Sequence, residues 1–162
     1  MNTVLVAEDE KMIRKGICAM IKRSSVPVEA VMECSNGETA LEIIKEHPVD
    51  VLFTDIRMPK MDGITLVKEI QKVRYKPLIV AISGYDDFSY AVEMLRRGVR
   101  EYILKPVERE KITEILETLE KELKNRNKKR RLDESMEKNQ LFLLLTQKTK
   151  MGGLNGIYDT IH

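Results

Sequence analysis

The stretch VLFTDIRMPKMDG, from Val51 to Gly63, combines a short apolar run, a carboxylate where the run ends, and then a turn. Burying apolar side chains up to a charged group is costly unless that charge is paired or serves a purpose. Asp55 is the charged group, and Pro59 and Asp62-Gly63 after it are turn signals. We therefore treat Asp55 as a candidate functional residue at the carboxyl end of a buried strand.

Similar apolar runs recur along the chain and alternate with segments of helical periodicity. The runs VLVA, VLFT and LIVAI lack polar alternation, which is typical of strands covered on both faces. Five strands alternating with five helices predict an α/β fold with a doubly wound parallel sheet. The predicted strands are Thr3–Ala7, Val28–Cys34, Val49–Thr54, Pro77–Ser83 and Arg100–Leu104; the predicted helices are Lys11–Ser24, Glu38–Glu46, Ile64–Val73, Phe88–Arg97 and a long helix beginning near Glu108.

Length and composition favour one folded domain with an appendage. The 162 residues are 43% hydrophobic, which is enough for a core. No apolar run approaches the ~20 residues of a membrane span, and the N-terminus leads into a predicted strand rather than a signal peptide. Cys18 and Cys34 lack metal-ligand spacing, so we interpret them as buried, reduced thiols and expect a cytoplasmic protein.

The segment from Lys121 to Arg131, KELKNRNKKRR, is strongly basic and leaves two interpretations open. It could be a nucleic-acid patch or a solvated linker or helix face, although no aromatic side chains interleave for stacking. A spacing of three and four then resumes, so a coiled coil is a hypothesis there. The residues of this stripe are Leu132, Met136, Asn139, Phe142 and Leu143, and the Gly-rich end GGLNGIYDTIH is expected to fray.

Polar residues follow the predicted strands where a doubly wound sheet places its site, beyond the carboxyl ends. They are Glu8-Asp9, Asp55, Ser83-Gly84 and Lys105-Pro106. Crowded carboxylates repel each other and favour a cation, and hard oxygen ligands suit Mg²⁺. A cation, an ammonium and a hydroxyl are what a transferring phosphoryl group needs around its oxygens. Asp55 would be the nucleophile and would form an acyl phosphate.

Four motifs in matching order resemble the receiver domain of two-component response regulators. They are VLVAEDE, TDIRMPKMDG, ISGYDD and EYILKPV, and the resemblance runs from Asn2 to about Leu119. It implies a flavodoxin-like five-stranded parallel sheet in the order 2-1-3-4-5. The wording ISGYDDFSYAVEMLRRGVREYILKPV is similar to receivers that precede AraC-type helix-turn-helix domains. The resemblance thus implies a receiver at residues 1–122 and, at residues 123–162, a helical linker or extension or the start of a truncated output region.

The resemblance also implies a role for each polar residue. Asp55 would accept a phosphoryl group from a sensor histidine kinase, with Ser83 and Lys105 assisting. The implied Mg²⁺ ligands are Glu8, Asp9, Asp55 and the backbone carbonyl of Arg57. Ser83 and Tyr102 would form the switch, and the Lys105–Pro106 peptide would be cis. Arg57 and Tyr85 would tune the rate of dephosphorylation. Gly63 fits a turn that needs a positive φ.

A phosphoryl group adds charge and acceptors, and would shift the population between two packings of the fourth helix, fifth strand and fifth helix. The resemblance implies a signalling module for transcription regulation, not an enzyme, whose only chemistry is phosphoryl transfer to and hydrolysis from Asp55. It implies a homodimer through that face or the C-terminal helix, DNA contact only through an output domain absent from this chain, and no membrane contact.

Two other functions would use parts of the same sequence. A Mg²⁺-dependent phosphatase of the haloacid dehalogenase type needs a second Asp two residues after the nucleophile, and Arg57 stands there. Direct nucleic-acid binding through the basic segment would predict an affinity that falls steeply with salt.

Overall fold

Five parallel strands form one sheet in the order β2-β1-β3-β4-β5 in the computed structural model, which describes residues 1–84 and 88–151. The strands are β1 (Thr3–Ala7), β2 (Ala30–Cys34), β3 (Val51–Asp55), β4 (Leu78–Ser83) and β5 (Glu101–Leu104); the helices are α1 (Lys11–Arg23), α2 (Gly37–Glu46), α3 (Gly63–Ile70), α4 (Phe88–Arg96) and α5 (Arg109–Met151). This topology confirms the predicted flavodoxin-like, doubly wound α/β fold. The strand order reverses at the neighbouring strands β1 and β3, which is where such sheets place their sites.

Helices cover the sheet on both faces, which explains the continuous apolar runs of its central strands. On one face, alternate strand residues such as Val6 and Phe53 pack against α1 and α5. On the other face, Leu5 and Leu52 pack against α2, α3 and α4. Every residue of β3 and β4 is buried, so neither strand could show a polar alternation.

The strand registers bring the carboxyl ends of four strands to one edge of the sheet. Ala7 of β1 lies opposite Thr54 of β3. Asp55 lies opposite Ile82 of β4, whose next residue, Ser83, is opposite Leu104 of β5. The residues that end or follow β1, β3, β4 and β5 therefore face a common rim.

The loop after β3 is fixed by two close backbone approaches. The amide of Gly63 donates to the carbonyl oxygen of Ile56 at 2.7 Å, and the amide of Gly37 donates to that of Met61 at 3.1 Å. A Cβ on Gly63 would lie 2.3 Å from the carbonyl oxygen of Asp55. Our expectation of a positive φ at Gly63 was wrong. Gly63 is the first residue of α3, directly after the N-cap residue Asp62, and a side chain there would collide with the backbone of Asp55.

The chain divides into two compact units, one from Met1 to Leu123 and one that begins at Lys124. In the first unit, the beginning of α5 supplies core residues from Ile112 to Leu123. In the second unit, large apolar side chains between residues 132 and 145 are 48–69% exposed. The Gly-rich end predicted to fray lies outside the described residues. No helix in the described part of the chain is long and apolar enough to cross a membrane.

Both cysteines are free and buried, as predicted. Burial raises the pKa of Cys18 to about 11, with the carboxylate of Glu33 contributing, and burial likewise raises the pKa of Cys34 to about 11. Both side chains are therefore thiols at neutral pH and pack as small apolar groups.

Candidate functional site

Asp55 ends β3 with its carboxylate almost fully buried, at 5% exposure. Its Oδ1 accepts a hydrogen bond from the amide of Ile56 at 2.8 Å. Its Oδ2 pairs with Nζ of Lys105, which follows β5, at 3.2 Å. One oxygen is thus fixed by the backbone and the other faces a cation, so the carboxylate is held in one orientation at the rim.

Glu8 and Asp9 follow β1 and differ in their surroundings. Glu8 is fully buried, whereas Asp9 is exposed. Nζ of Lys105 lies 3.4 Å from each carboxylate oxygen of Glu8, but hydrogen-bond geometry is met at Oε1 alone. Among the described residues, Glu8 Oε2 is buried without a hydrogen-bond partner. A buried polar atom without a hydrogen bond destabilises the folded state unless another group, such as a cation, binds it.

These acidic residues fit a hard cation. Carboxylate oxygens of Glu8, Asp9 and Asp55 all lie within 4.8 Å of one another. Oxygen ligands of this kind, with room for water and a phosphoryl oxygen, are what Mg²⁺ prefers. Oε2 of Glu8, which is buried and makes no hydrogen bond within the described residues, points the same way. The residues present therefore fit the metal that the resemblance implies.

Burial dominates the electrostatics of the site. Burial raises the pKa of Glu8 to about 8, the Asp55 carboxylate adds to the rise, and Lys105 opposes it. Burial also raises the pKa of Asp55, although Lys105 opposes this shift. Burial alone would lower the pKa of Lys105, but the carboxylates of Asp55 and Glu8 outweigh it and raise that pKa. The ammonium of Lys105 therefore does not offset the cost of burying both carboxylates, and Glu8 keeps its proton at neutral pH in the metal-free protein.

Ser83 and Tyr102 are joined directly. Ser83 is fully buried at the end of β4, and its hydroxyl forms a short hydrogen bond with the hydroxyl of Tyr102 on β5. The Ser83 hydroxyl also donates to the carbonyl oxygen of Gly84 at 3.2 Å. Tyr102 is partly buried against the core on the α2, α3 and α4 side of the sheet. A movement of the Ser83 hydroxyl towards Asp55 would therefore break a contact with Tyr102.

The other predicted features of the site are the Lys105–Pro106 peptide and the residues that follow β3 and β4. The peptide bond between Lys105 and Pro106 is cis. Arg57 lies two residues beyond β3 with an exposed side chain. Tyr85, predicted to tune dephosphorylation, lies outside the described residues. Glu8 and Asp9 are not side-chain caps of α1, because the N-cap residue is Glu10 and its side chain makes no capping hydrogen bond.

The structure adds one residue that the sequence analysis missed. Arg14, on α1, donates to the main-chain carbonyl oxygen of Glu8 at 2.8 Å. The available signal was a basic residue in the first turn of a helix that has no acidic residue there. A cation at that end opposes the helix dipole and often has another reason to be present.

Comparison with known proteins agrees with this geometry. The family model of the response regulator receiver domain matches residues 4–117. The chain therefore belongs to the response regulator receiver domain family. This is the family that the four motifs resembled, and the resemblance is confirmed.

Two curated relatives are named as transcriptional regulatory proteins. The chain is 33% identical over 127 residues to the transcriptional regulatory protein YesN of Bacillus subtilis, an alignment covering 78% of this chain and 34% of YesN. It is 31% identical over 116 residues to the transcriptional regulatory protein HptR of Staphylococcus aureus, covering 72% of this chain and 45% of HptR. The chain thus spans less than half the length of these relatives.

Solved structures of receiver domains share the fold. The REC domain of AraT, a response regulator from Geobacillus stearothermophilus, is 39% identical with a TM-score of 0.69, covering 77% of this chain and 97% of that one. A two-component transcriptional regulator AraC from Clostridium phytofermentans is 32% identical with a TM-score of 0.67, covering 79% and 99%. The chain contains a receiver domain of a two-component response regulator, and this family is a signalling domain.

Proposed function

We propose that Asp55 is phosphorylated by a sensor histidine kinase and that this modification switches an output. The observation that carries the proposal is the placement of Asp55 Oδ2 at 3.2 Å from Lys105 Nζ, beside a second buried carboxylate, Glu8, that lacks a full set of partners. This arrangement combines a nucleophile with the charge that a phosphoryl group requires.

In the proposed transfer, an Asp55 carboxylate oxygen attacks phosphorus. The phosphorus–nitrogen bond of the kinase phosphohistidine breaks as the new phosphorus–oxygen bond forms, and the imidazole keeps the electron pair. Lys105, which follows β5, would pair with the incoming phosphoryl oxygens. Hydrolysis would later return Asp55 to its free carboxylate, so the chain would transfer and lose a phosphoryl group without turning over a separate substrate.

The residues proposed to hold Mg²⁺ are Glu8, Asp9, Asp55 and the main-chain carbonyl of Arg57. When bound, the metal would offset the negative charge shared by the carboxylates and the phosphoryl oxygens. The supporting observations are the 4.8 Å spread of the three carboxylates and the buried Glu8 oxygen that makes no hydrogen bond within the described residues.

Ser83 and Tyr102 are the proposed switch. A phosphoryl group on Asp55 offers acceptors to the Ser83 hydroxyl, which is now engaged with Tyr102. Reorienting Ser83 would release Tyr102 and change the packing around α4, β5 and α5. The change would be a population shift, limited by how differently the two packings bind phosphate.

The proposed organisation is a receiver at residues 1–122 followed by a linker or extension at 123–162, with an AraC-type DNA-binding output beyond this chain. The similarity to transcriptional regulators that are longer than this chain supports an output of this kind. The buried free thiols fit a cytoplasmic location, which is part of the proposal.

A second copy of the chain is the proposed further partner, through the face of α4, β5 and α5 or through the C-terminal helix. In the helix, Leu132, Met136 and Leu143 are exposed and share one stripe with Asn139. Their spacing of four, three and four residues suits a short two-stranded coiled coil, in which a single Asn can set the register.

The first experiment is phosphorylation with acetyl phosphate and Mg²⁺, followed by intact mass spectrometry. The wild type should gain one phosphoryl group, while Asp55→Asn and a sample in EDTA should gain none. If the acyl phosphate is too short-lived to observe, beryllofluoride should still bind the wild type in the presence of Mg²⁺. If the wild type shows no mass gain and also fails to bind beryllofluoride, the proposal is contradicted.

The phosphatase alternative has no support in the geometry. Arg57, which stands where that mechanism requires a general acid, is exposed and cationic. A phosphatase would release phosphate from a monoester such as p-nitrophenyl phosphate over many turnovers, whereas we expect at most one phosphoryl group per chain from acetyl phosphate.

A further inference from the structure

Arg14 connects α1 to the ends of two strands beside the site. Its Nη1 donates to the main-chain carbonyl oxygen of Glu8 at 2.8 Å, and its Nε donates to Oε1 of Glu33 on β2 at 3.1 Å. Only 13% of the side chain is exposed. The guanidinium thus donates two hydrogen bonds, one to a residue of β2 and one to the residue that follows β1.

The carbonyl that Arg14 binds belongs to the peptide joining Glu8 to Asp9. The amide of Glu8 is also fixed, because it donates to the carbonyl oxygen of Cys34 at 3.1 Å. The backbone of Glu8 is therefore held on both sides by groups outside β1. The direction of this backbone determines where the two neighbouring carboxylates begin, and so where their oxygens can reach.

Helix stability does not explain a cation at this position. Arg14 lies in the first turn of α1, where acidic residues are absent and where the helix dipole disfavours positive charge. Arg14 does pair with Glu33, but Lys15 already lies 2.7 Å from the same Oε1 atom. The hydrogen bond to the Glu8 carbonyl is the contact that Arg14 makes and Lys15 does not.

We propose that Arg14 is a positioning residue that holds the Glu8–Asp9 peptide so that both carboxylates can bind Mg²⁺ together. The inference rests on the proposed metal site. Mg²⁺ demands near-ideal octahedral geometry, so a small displacement of two ligands is costly. Changes to residues that orient metal ligands typically weaken binding by 10–100-fold.

Electrostatics alone predicts the opposite effect. A guanidinium close to the acidic residues repels an incoming cation, so deleting it should tighten Mg²⁺ binding. If Arg14 positions the carboxylates, deleting it should weaken that binding. The sign of the change in affinity therefore separates the two roles.

The test compares Arg14→Met with Lys15→Met in the full chain. Each variant removes one positive charge that contacts Glu33, but only Arg14→Met removes the contact with Glu8. The Mg²⁺ dissociation constant is measured by titration calorimetry, and the urea midpoint is measured in EDTA. We expect Arg14→Met to raise the dissociation constant about tenfold or more. Lys15→Met should leave the dissociation constant unchanged or slightly lower.

A second variant, Arg14→Lys, retains the charge but loses the fork that reaches two acceptors at once. It should also bind Mg²⁺ more weakly than the wild type. A purely structural role for Arg14 would lower the urea midpoint without changing the dissociation constant of the folded protein, and that result would overturn the proposal. Arg14→Met affinity equal to or tighter than wild type would overturn it as well.

Equal weakening in Arg14→Met and Lys15→Met would place the effect in the shared Glu33 contact and would also overturn the proposal. If the wild type itself binds no Mg²⁺, the proposed metal site fails and the role of Arg14 fails with it. Wild-type binding therefore distinguishes failure of the metal site from failure of the positioning role.

Discussion

Replacing Glu8 with Gln should stabilise the metal-free protein at neutral and mildly alkaline pH. Burial raises the pKa of Glu8 from 4.5 to about 8, so the folded state keeps its proton over a range where the unfolded chain has released it. Unfolding in this range releases a proton and becomes easier as the pH rises. The stabilising contribution is thus present below pH 4.5 and is lost as the pH rises to about 8.

The size of the effect follows from the same two values. The free energy of unfolding falls by about 1.4 kcal/mol for each pH unit between them, which gives an upper limit of about 5 kcal/mol. Gln cannot ionise, so it should remove the contribution of this residue. The titrations of Glu8 and Asp55 are linked, because each carboxyl group affects the pKa of the other, so the difference between Glu8→Gln and the wild type reports the pair.

The assay is urea unfolding followed by circular dichroism at pH 5, 6, 7 and 8 in EDTA. The difference in stability between Glu8→Gln and the wild type should grow with pH by several kcal/mol. Glu10→Gln, which changes an exposed side chain of the same loop, should stay within about 0.5 kcal/mol of wild type. Parallel curves for Glu8→Gln and the wild type would refute the assignment of a costly buried carboxylate.

Gly63→Ala should destabilise the protein by about 1–3 kcal/mol in urea unfolding, because its Cβ would meet the Asp55 carbonyl oxygen at 2.3 Å. The control, Gly16→Ala, has open space around it inside α1 and should be neutral or stabilise the protein by up to about 1 kcal/mol. Mg²⁺ affinity should rise with pH up to about 8, because binding displaces the proton from Glu8; calorimetry in buffers of different ionisation enthalpy should count the released proton. If a second copy covers the exposed stripe, Leu132→Ser combined with Leu143→Ser should shift sedimentation towards monomer, and an unchanged distribution would reject that contact.

Much of the fold could be predicted because its strands are buried on both faces. β1, β3 and β4 appear in the sequence as apolar runs, and the predicted bounds agree with the structure within two residues. The prediction for β2 also began two residues early, at Val28 rather than Ala30, and rested on a less regular apolar pattern. This strand pairs only with β1 and is less buried, so its apolar pattern is weaker.

The order of the strands could be predicted only from the resemblance to receiver domains, because apolar runs do not specify which strands are neighbours. The candidate site was predictable because its residues follow directly after strands, and parallel strands share one rim. Arg14 was not predictable in the same way. Its contact depends on the side chain reaching back from α1 to a main-chain carbonyl, and no spacing rule describes that contact.

Two local features show where pattern reasoning was insufficient. The dipeptide Asp62-Gly63 signals a turn, but it also serves as a helix N-cap followed by a tightly packed first residue, and the structure has the second arrangement. The apolar stripe stops between residues 125 and 131, yet α5 continues through them. Lys and Arg are good helix formers and the segment has no Gly or Pro, so the backbone has no reason to leave the helix.

Two glycines that pack closely against main-chain carbonyl groups beside the loop after β3 constrain which substitutions this chain can accept. Gly37 and Gly63 each approach a main-chain carbonyl so closely that any side chain would collide with backbone. Within the loop, Arg57 and Lys60 have exposed side chains. Lys60 has a φ of 66°, in the left-handed region that Gly and Asn adopt more readily than Lys. A library randomised at positions 37, 57, 60 and 63 should therefore recover varied residues at 57 and 60, a bias to Gly or Asn at 60, and glycine alone at 37 and 63.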